Sequence, residues 1–547
     1  MNDNRPGKFK VWAPLICALV LVLGMVLGFN LRDTLRSKRD IINISTRNDR
    51  LEQIIDLVAE KYVDTVDANK LYEDAIKGIL SHLDPHTSYL SADQFETSNE
   101  ELDGGFFGIG VEFEIINDTI QVLGVNENGP AAVAGMAIGD KLIQVGDSIV
   151  AGKSITSKRI MKMLKGKQYS RVYITLLRAD DASKKVVSVK RDIVPVYSVE
   201  ASVMLNANTG YIKINKFGAT THSEFKTALK GLQAAGMDDL IIDVRQNPGG
   251  YLGAAVNIID ELLDDDKVVV YTEGKSSPRY EYRTDKKGIF EKGRLIILVD
   301  ETSASASEIL AGAIQDWDRG LIIGRRTYGK GLVQEQYDMD DGAGLRLTVA
   351  KYYTPSGRSI QRTYAKGREA YESDFIQRYH TGELTGYDTL STGDTVKHYT
   401  SKRRVVYGGG GIKPDVYVGY DTSKLTNAML NLVYSDEVKN YVWAYFLANR
   451  KALMQYKDMY DFSANYDAMP LMNGYLQTLP AGFRKAATKL LSSGDNKEFM
   501  RLQMKAQLAR MLYRDNGYYL VSAKEDEMIR RALKELQSSD YLKLIGR

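Results

Sequence analysis

The sequence predicts a mixed α/β core, preceded by a small module of short β-strands and followed by a helical carboxyl-terminal region. Three observations carry this expectation. From about Ile193 to Tyr420, short apolar runs alternate with amphipathic stretches, the pattern of strands interleaved with helices. From Gly104 to about Arg191, brief β-runs are punctuated by glycine. From about Lys424 onward helical periodicity returns, with Met528, Ala532 and Leu536 on one face and Ile529 and Leu533 beside them. A chain of 547 residues is too long for one hydrophobic core, so several domains are expected.

Taken in order, the first element is Val11 to Phe29, a run of 19 residues without a charge that at about 1.5 Å per residue matches a bilayer's hydrocarbon thickness. It predicts a retained, single-pass membrane anchor, with residues 1–30 as cytoplasmic tail and span. Arg5, Lys8 and Lys10 precede it while Arg32, Arg36, Lys38 and Arg39 follow, so the flanking charges set no orientation. Residues 31–101 form an amino-terminal helical region, where Leu51, Ile54, Ile55 and Val58, then Leu71, Ala75 and Ile79, recur at helical spacing. Asp84-Pro85-His86 ends the second helix, because the residue before proline is pushed out of the helical region. His86 is read as structural.

Residues 102–192 make the β-module. Gly108 to Phe113 opens one strand, Ile120 to Val125 is a second, Gly139 to Val145 a third and Val172 to Leu177 a fourth, with a helix over Ile155 to Leu164. With Asn128-Gly129-Pro130-Ala131-Ala132 and Gly139-Asp140 in the same order, this spacing resembles a PDZ domain. That resemblance implies that the backbone N–H groups of Ile109-Gly110-Val111 bind the terminal carboxylate of a protein tail. A plain glycine turn before a strand is the competing reading of the segment by itself.

Residues 193–422 form the α/β core: Asp239 to Val244 and Leu295 to Val299 as buried strands, Leu252 to Leu263 and Ile309 to Trp317 as helices. The polar, Gly/Thr-rich stretch from Tyr364 to Lys402 reads as a long surface excursion. Residues 423–547 are helical and carry no recognisable chemistry.

Composition narrows the function. With 73 basic and 70 acidic residues the net charge is +3, which gives no pull toward nucleic acid. The single cysteine, Cys17, lies in the apolar run, so the body has no disulfide, thiolate metal site or cysteine nucleophile. No His-Glu-x-x-His occurs, and none of His82, His86, His222, His380 and His398 stands in the context of a serine-histidine triad. Neither a metal nor a cofactor is expected.

Three segments carry chemistry. Asp300 to Glu308 joins a buried strand to a helix, where Ser305 would meet the unsatisfied N–H groups and positive dipole end of the helix. Such a setting suits a nucleophile whose intermediate carries an oxyanion; Ser305-Ala306-Ser307-Glu308 is equally a capping box. Gly329-Lys330-Gly331 places a lysine where the backbone can approach closely, and Gln334 is spaced to orient its amine. A lysine acts as base only when burial lowers its pKa from about 10.4. Asn247-Pro248-Gly249-Gly250 is a turn whose glycine amides suit either an oxyanion hole or a tight strand-to-helix connection.

Together these segments resemble the carboxyl-terminal processing proteases across roughly residues 50 to 420, including Leu83-Asp84-Pro85-His86, Thr354-Pro355-Ser356-Gly357 and Gly411-Ile412-Lys413-Pro414-Asp415. The resemblance implies a ββα-spiral, crotonase-like core with an inserted PDZ domain. It implies Ser305 as nucleophile, Lys330 as base and Gln334 as its positioner, with the amides of Ala306 and of Gly249 or Gly250 as oxyanion hole. The expected function is a serine endopeptidase acting on envelope proteins with apolar carboxyl termini, its body outside the cytoplasmic membrane, with or without a homo-oligomer or adaptor protein. The alternative is a non-catalytic PDZ scaffold that binds protein tails.

Overall fold

The computed structural model describes residues 50–152, 155–179, 181–386, 396–421 and 426–546. The expected anchor, Val11 to Phe29, lies outside them. Among the described residues no helix is long and apolar enough to cross a membrane.

Before Leu83, residues 50–61 and Ala68–Leu80 are helical, as the apolar spacing predicts. The Asp67 carboxylate caps the second helix by accepting the Asn69 N–H at 2.9 Å.

The β-module is an antiparallel sheet in the order Val111–Ile116, Thr119–Val125, Lys141–Val145, Arg171–Leu177, Lys184–Lys190. Its helix, Ser157–Leu164, is capped by Thr156 and buries Ile160 and Leu164 against Ile120, Val122, Leu142 and Ile174. Each such aliphatic side chain contributes about 1.5 to 3 kcal/mol by burial. The first strand begins at Val111, not at Gly108, because Gly110 takes a left-handed φ of 73° that breaks the extended run. Gly105–Gly108 instead pairs with Asp192–Pro195 as a separate ribbon.

The core is built on a six-stranded sheet, ordered Val199–Met204, Thr209–Ile214, Asp239–Asp243, Leu295–Val299, Leu321–Gly324, Val416–Tyr417. The first pair is antiparallel and all later pairs are parallel. Alternate residues of its central strands bury two different layers, which is why those strands read as unbroken apolar runs. Ile212, Leu240, Ile242, Leu295 and Ile297 face the helices Thr221–Ala234, Leu252–Ile259 and Ala306–Asp316. Tyr211, Ile241, Ile296 and Leu298 face Met528, Ile529, Ala532 and Leu536 of the helix Glu527–Gln537. The carboxyl-terminal region, silent in chemistry, therefore covers one face of the core sheet.

That region also holds the PDZ-like sheet. Trp443 Nε1 donates to buried Gln121 Oε1 at 2.7 Å, and Arg514 donates to Glu112 Oε2 at 2.8 Å and to the Val125 carbonyl at 3.1 Å. Arg514 sits at a non-helical kink within Gly494–Ser522, which aims it at the sheet.

A second, antiparallel sheet combines Ser88–Leu90, Gly344–Tyr353, Val268–Glu273 and Tyr280–Arg283, with Leu332–Asp338 also paired to Gly344–Tyr353. The stretch after Tyr364 is not wholly a surface excursion. It contains the helices Arg368–Glu372 and Asp374–His380, and Tyr371, Arg378, Glu383 and Leu384 are buried. Polar composition misled there because Arg378 and Glu383 are buried as charge partners.

Candidate active site

Ser305 occupies the turn between Leu295–Val299 and the helix Ala306–Asp316. Asp300 fixes that turn by accepting the N–H groups of Thr302 and Ser303 at 3.0 Å and of Gln246 at 3.1 Å. The neighbouring hydroxyls are committed: Ser303 Oγ donates to the Val244 carbonyl at 2.8 Å and Ser307 Oγ to the Asn247 carbonyl at 3.0 Å. Ser305 is half-buried with φ 53° and ψ −113°. The capping box is present, but a capping serine normally takes extended backbone, so capping alone does not require this strained conformation.

The Asn247-Pro248-Gly249-Gly250 turn packs directly on Ser305. A side chain at Gly249 would bring its Cβ within 2.7 Å of Ser305 Cβ, and one at Gly250 within 2.1 Å of the Phe217 carbonyl oxygen. Asn247 is fully buried, donates to the Ile214 carbonyl at 3.0 Å and accepts the Gly249 N–H at 2.8 Å. The Gly249 amide is thereby committed within the turn. Among the described residues the N–H groups of Gly250 and Ala306 have no acceptor; Ala306 follows Ser305 in the chain, and Gly250 follows the Gly249 that packs on it.

Lys330 precedes the strand Leu332–Asp338, and its amine donates to Gln334 Oε1 at 2.7 Å. Gln334 Nε2 in turn donates to the His86 carbonyl at 2.6 Å, which fixes the amide's orientation. Burial, reinforced by the Arg346 guanidinium, lowers the Lys330 pKa to about 8. The pair forms as the spacing predicts; no hydrogen bond links Lys330 to Ser305 in this state.

Sequence reading did not find the residue that joins these loops. Glu308 is fully buried, and its carboxylate accepts the N–H of Ser305 at 2.9 Å, Gly329 at 2.7 Å and Lys330 at 2.8 Å, and the Thr327 hydroxyl at 2.5 Å. Burial pushes its pKa up to about 7, against the pull of those four donors. The only signal was its place in the capping box. The chain leading to Lys330 is held at Arg326, which makes a two-pronged contact with Glu383 at 2.7 and 2.9 Å, while Arg378 binds Glu383 at 3.0 Å and the Arg326 carbonyl at 2.5 Å. His86, read as structural, bonds through its ring to Tyr371 Oη at 2.9 Å, and burial with nearby Lys330 lowers its pKa to about 4.

In the β-module, Ile109 is 2% exposed and its side chain belongs to the core, while its carbonyl accepts the Ala131 N–H at 2.9 Å. The Gly110 carbonyl accepts the Asn126 N–H at 3.0 Å, and the N–H groups of Ile109 and Gly110 have no acceptor among the described residues. Val111 is half-buried at the start of its strand.

Residues 208–367 match Peptidase family S41, residues 108–190 match the PDZ domain, and residues 31–94 match the Activating protease CtpB N-terminal domain. A carboxy-terminal-processing protease of Bartonella bacilliformis is 31% identical over 366 residues, 66% of this chain and 82% of that protein. A probable CtpA-like serine protease of Staphylococcus haemolyticus is 30% identical over 411 residues, 73% of this chain and 80% of that one. Among solved structures, a photosystem II D1 C-terminal processing protease is 28% identical, with the match covering 57% of this chain and 89% of that one at a TM-score of 0.32.

Proposed function

The chain belongs to Peptidase family S41, the carboxy-terminal-processing serine peptidases with a PDZ domain, and from that premise we propose that it cleaves proteins by a Ser305–Lys330 dyad. The observation that carries the assignment is Glu308, one carboxylate that binds the backbone N–H of both residues. In this reading the neutral Lys330 amine takes the Ser305 proton as Oγ attacks the scissile carbonyl. The Gly250 and Ala306 N–H groups stabilise the oxyanion. Collapse expels the amine, which leaves with the proton from Lys330, and water then hydrolyses the acyl-serine ester. Gln334 holds the amine between these transfers, and the Ser305–Lys330 hydrogen bond forms when substrate arrives.

Because the neutral amine is the working form, kcat/KM rises with pH through about 8, the value to which burial lowers Lys330. Gln334→Ala weakens turnover less than loss of Lys330, since it removes orientation and leaves the base. A profile that is flat from about pH 6 to 9 would count against a lysine base.

The substrates we propose are envelope proteins with apolar carboxyl termini, tethered by the free N–H groups of Ile109 and Gly110 with Val111 beside them. Amidating the terminus of a test substrate removes the charge those groups bind and leaves the scissile region unchanged. The intact protein should cleave the free acid faster, and equal rates would show that the loop is a plain turn. Val11 to Phe29, uncharged over 19 residues, supports a membrane anchor with the catalytic body on the extracytoplasmic side. Fractionating cells that express the chain with and without residues 1–30 tests this, and full-length protein recovered in the soluble fraction would refute it.

A further inference from the structure

We propose that Tyr352 is a positioning residue that holds Ser305 and Lys330 at their working separation by bridging their main-chain carbonyls. Its single O–H proton is shared between two acceptors in a three-centre hydrogen bond, the shorter arm to the Lys330 carbonyl and the longer, at 3.1 Å, to the Ser305 carbonyl. The residue is 1% exposed, packed in the main core layer near the end of the strand Gly344–Tyr353, so the hydroxyl has no access to water as an alternative partner. Its own N–H donates to the Gly331 carbonyl at 3.0 Å, which fixes it to the lysine loop at a second point.

The Ser305 carbonyl already accepts the N–H of Glu308 at 2.8 Å and of Ile309 at 3.0 Å. The phenol's arm to it is thus a third and weaker contact, not needed for satisfaction, and its effect is to tie the Ser305 turn to the lysine loop that the same proton bonds more closely. The other side of the same two residues is tied as well, since their N–H groups donate to a single Glu308 oxygen, Oε2, at 2.9 and 2.8 Å. Two residues far apart in sequence are thus joined through their carbonyls by one hydroxyl and through their amides by one carboxylate. A displacement of about 1 Å between reacting groups can cost a hundredfold in rate, so such a clamp bears on turnover more than on binding.

This inference rests on the Ser305–Lys330 reading, and the test keeps the two apart. Turnover of a free-acid peptide is measured from about pH 6 to 10, with thermal melting, for Tyr352→Phe, Ser305→Ala, Lys330→Ala and Tyr353→Phe. Tyr353, whose ring stacks on Tyr271 at 4.9 Å, is the control and should leave kcat unchanged.

Tyr352→Phe should keep KM within about twofold and lower kcat about ten- to a hundredfold. The rising limb should move to higher pH as the lysine loop relaxes among Arg346, Asp84, Glu308 and His86, the titratable groups that face Lys330. A lower melting temperature with kcat and the limb unmoved would make the hydroxyl merely structural and overturn the proposal. Should Tyr352→Phe not fold, 3-fluorotyrosine at position 352 strengthens the donor at nearly constant volume, and an unchanged kcat there overturns it equally. Turnover retained by folded Ser305→Ala or Lys330→Ala defeats the dyad reading, and this proposal with it.

Discussion

Replacing Ser305 or Lys330 by alanine should each remove proteolysis, lowering kcat by at least about 10,000-fold, or some 5 to 6 kcal/mol of transition-state stabilisation. Neither change opens a core cavity, because both side chains are only half-buried. Circular dichroism, melting temperature and binding of a tail peptide should therefore stay near those of the parent. Lys330→Arg should be as inactive as Lys330→Ala, since a guanidinium keeps its proton at any working pH and cannot act as base. Ser303→Ala and Ser307→Ala, which remove hydroxyls bonded to the Val244 and Asn247 carbonyls, should keep substantial activity and lose stability by about 1 kcal/mol each. If Ser307 proved essential and Ser305 dispensable, the nucleophile would be misassigned.

Glu308→Ala should fail in two ways at once. It leaves three backbone N–H groups and the Thr327 hydroxyl without their acceptor inside the protein. At about 1 to 3 kcal/mol for a buried donor left unsatisfied, partly relieved by entering water, the expected destabilisation is about 3 to 5 kcal/mol. Activity should fall well beyond what instability explains, because the loops of Ser305 and Lys330 lose their common anchor. Glu308→Gln separates the effects. Its amide can accept on one side only and presents donors to donors on the other, so stability returns in part while turnover stays low. A Glu308→Gln variant with parental kcat would show that the carboxylate does not set the geometry of the pair.

The sequence made the scaffold legible where a local pattern has one physical reading. Leu295–Val299 and Asp239–Asp243 read as buried strands because both of their faces are covered. The Lys330–Gln334 contact follows from close spacing, and Asn247 to Gly250 announced its turn through composition. What stayed hidden depends on partners distant along the chain. Glu308 looks like an ordinary capping glutamate until the chain returns at Gly329 and Lys330. Arg378 and Glu383 look like surface charges until Arg326 is brought against them. Tyr352 is one tyrosine of a Tyr-Tyr pair, and only strand pairing decides which of the two points inward. Composition also gives no sign that the Gly249 and Gly250 amides differ, because the difference comes from one side chain, Asn247, whose carbonyl oxygen accepts the Gly249 N–H.

The central claim is that Ser305 carries the acyl group with Lys330 as its base, and acid-quenched mass spectrometry tests it most directly. The intact protein, mixed with a free-acid substrate and quenched within one turnover, should carry the mass of the amino-terminal product as an ester. Peptide mapping should place that ester on Ser305, and it should be absent from Lys330→Ala under the same conditions. An ester on Ser303 or Ser307, or an undiminished ester in Lys330→Ala, would contradict the account.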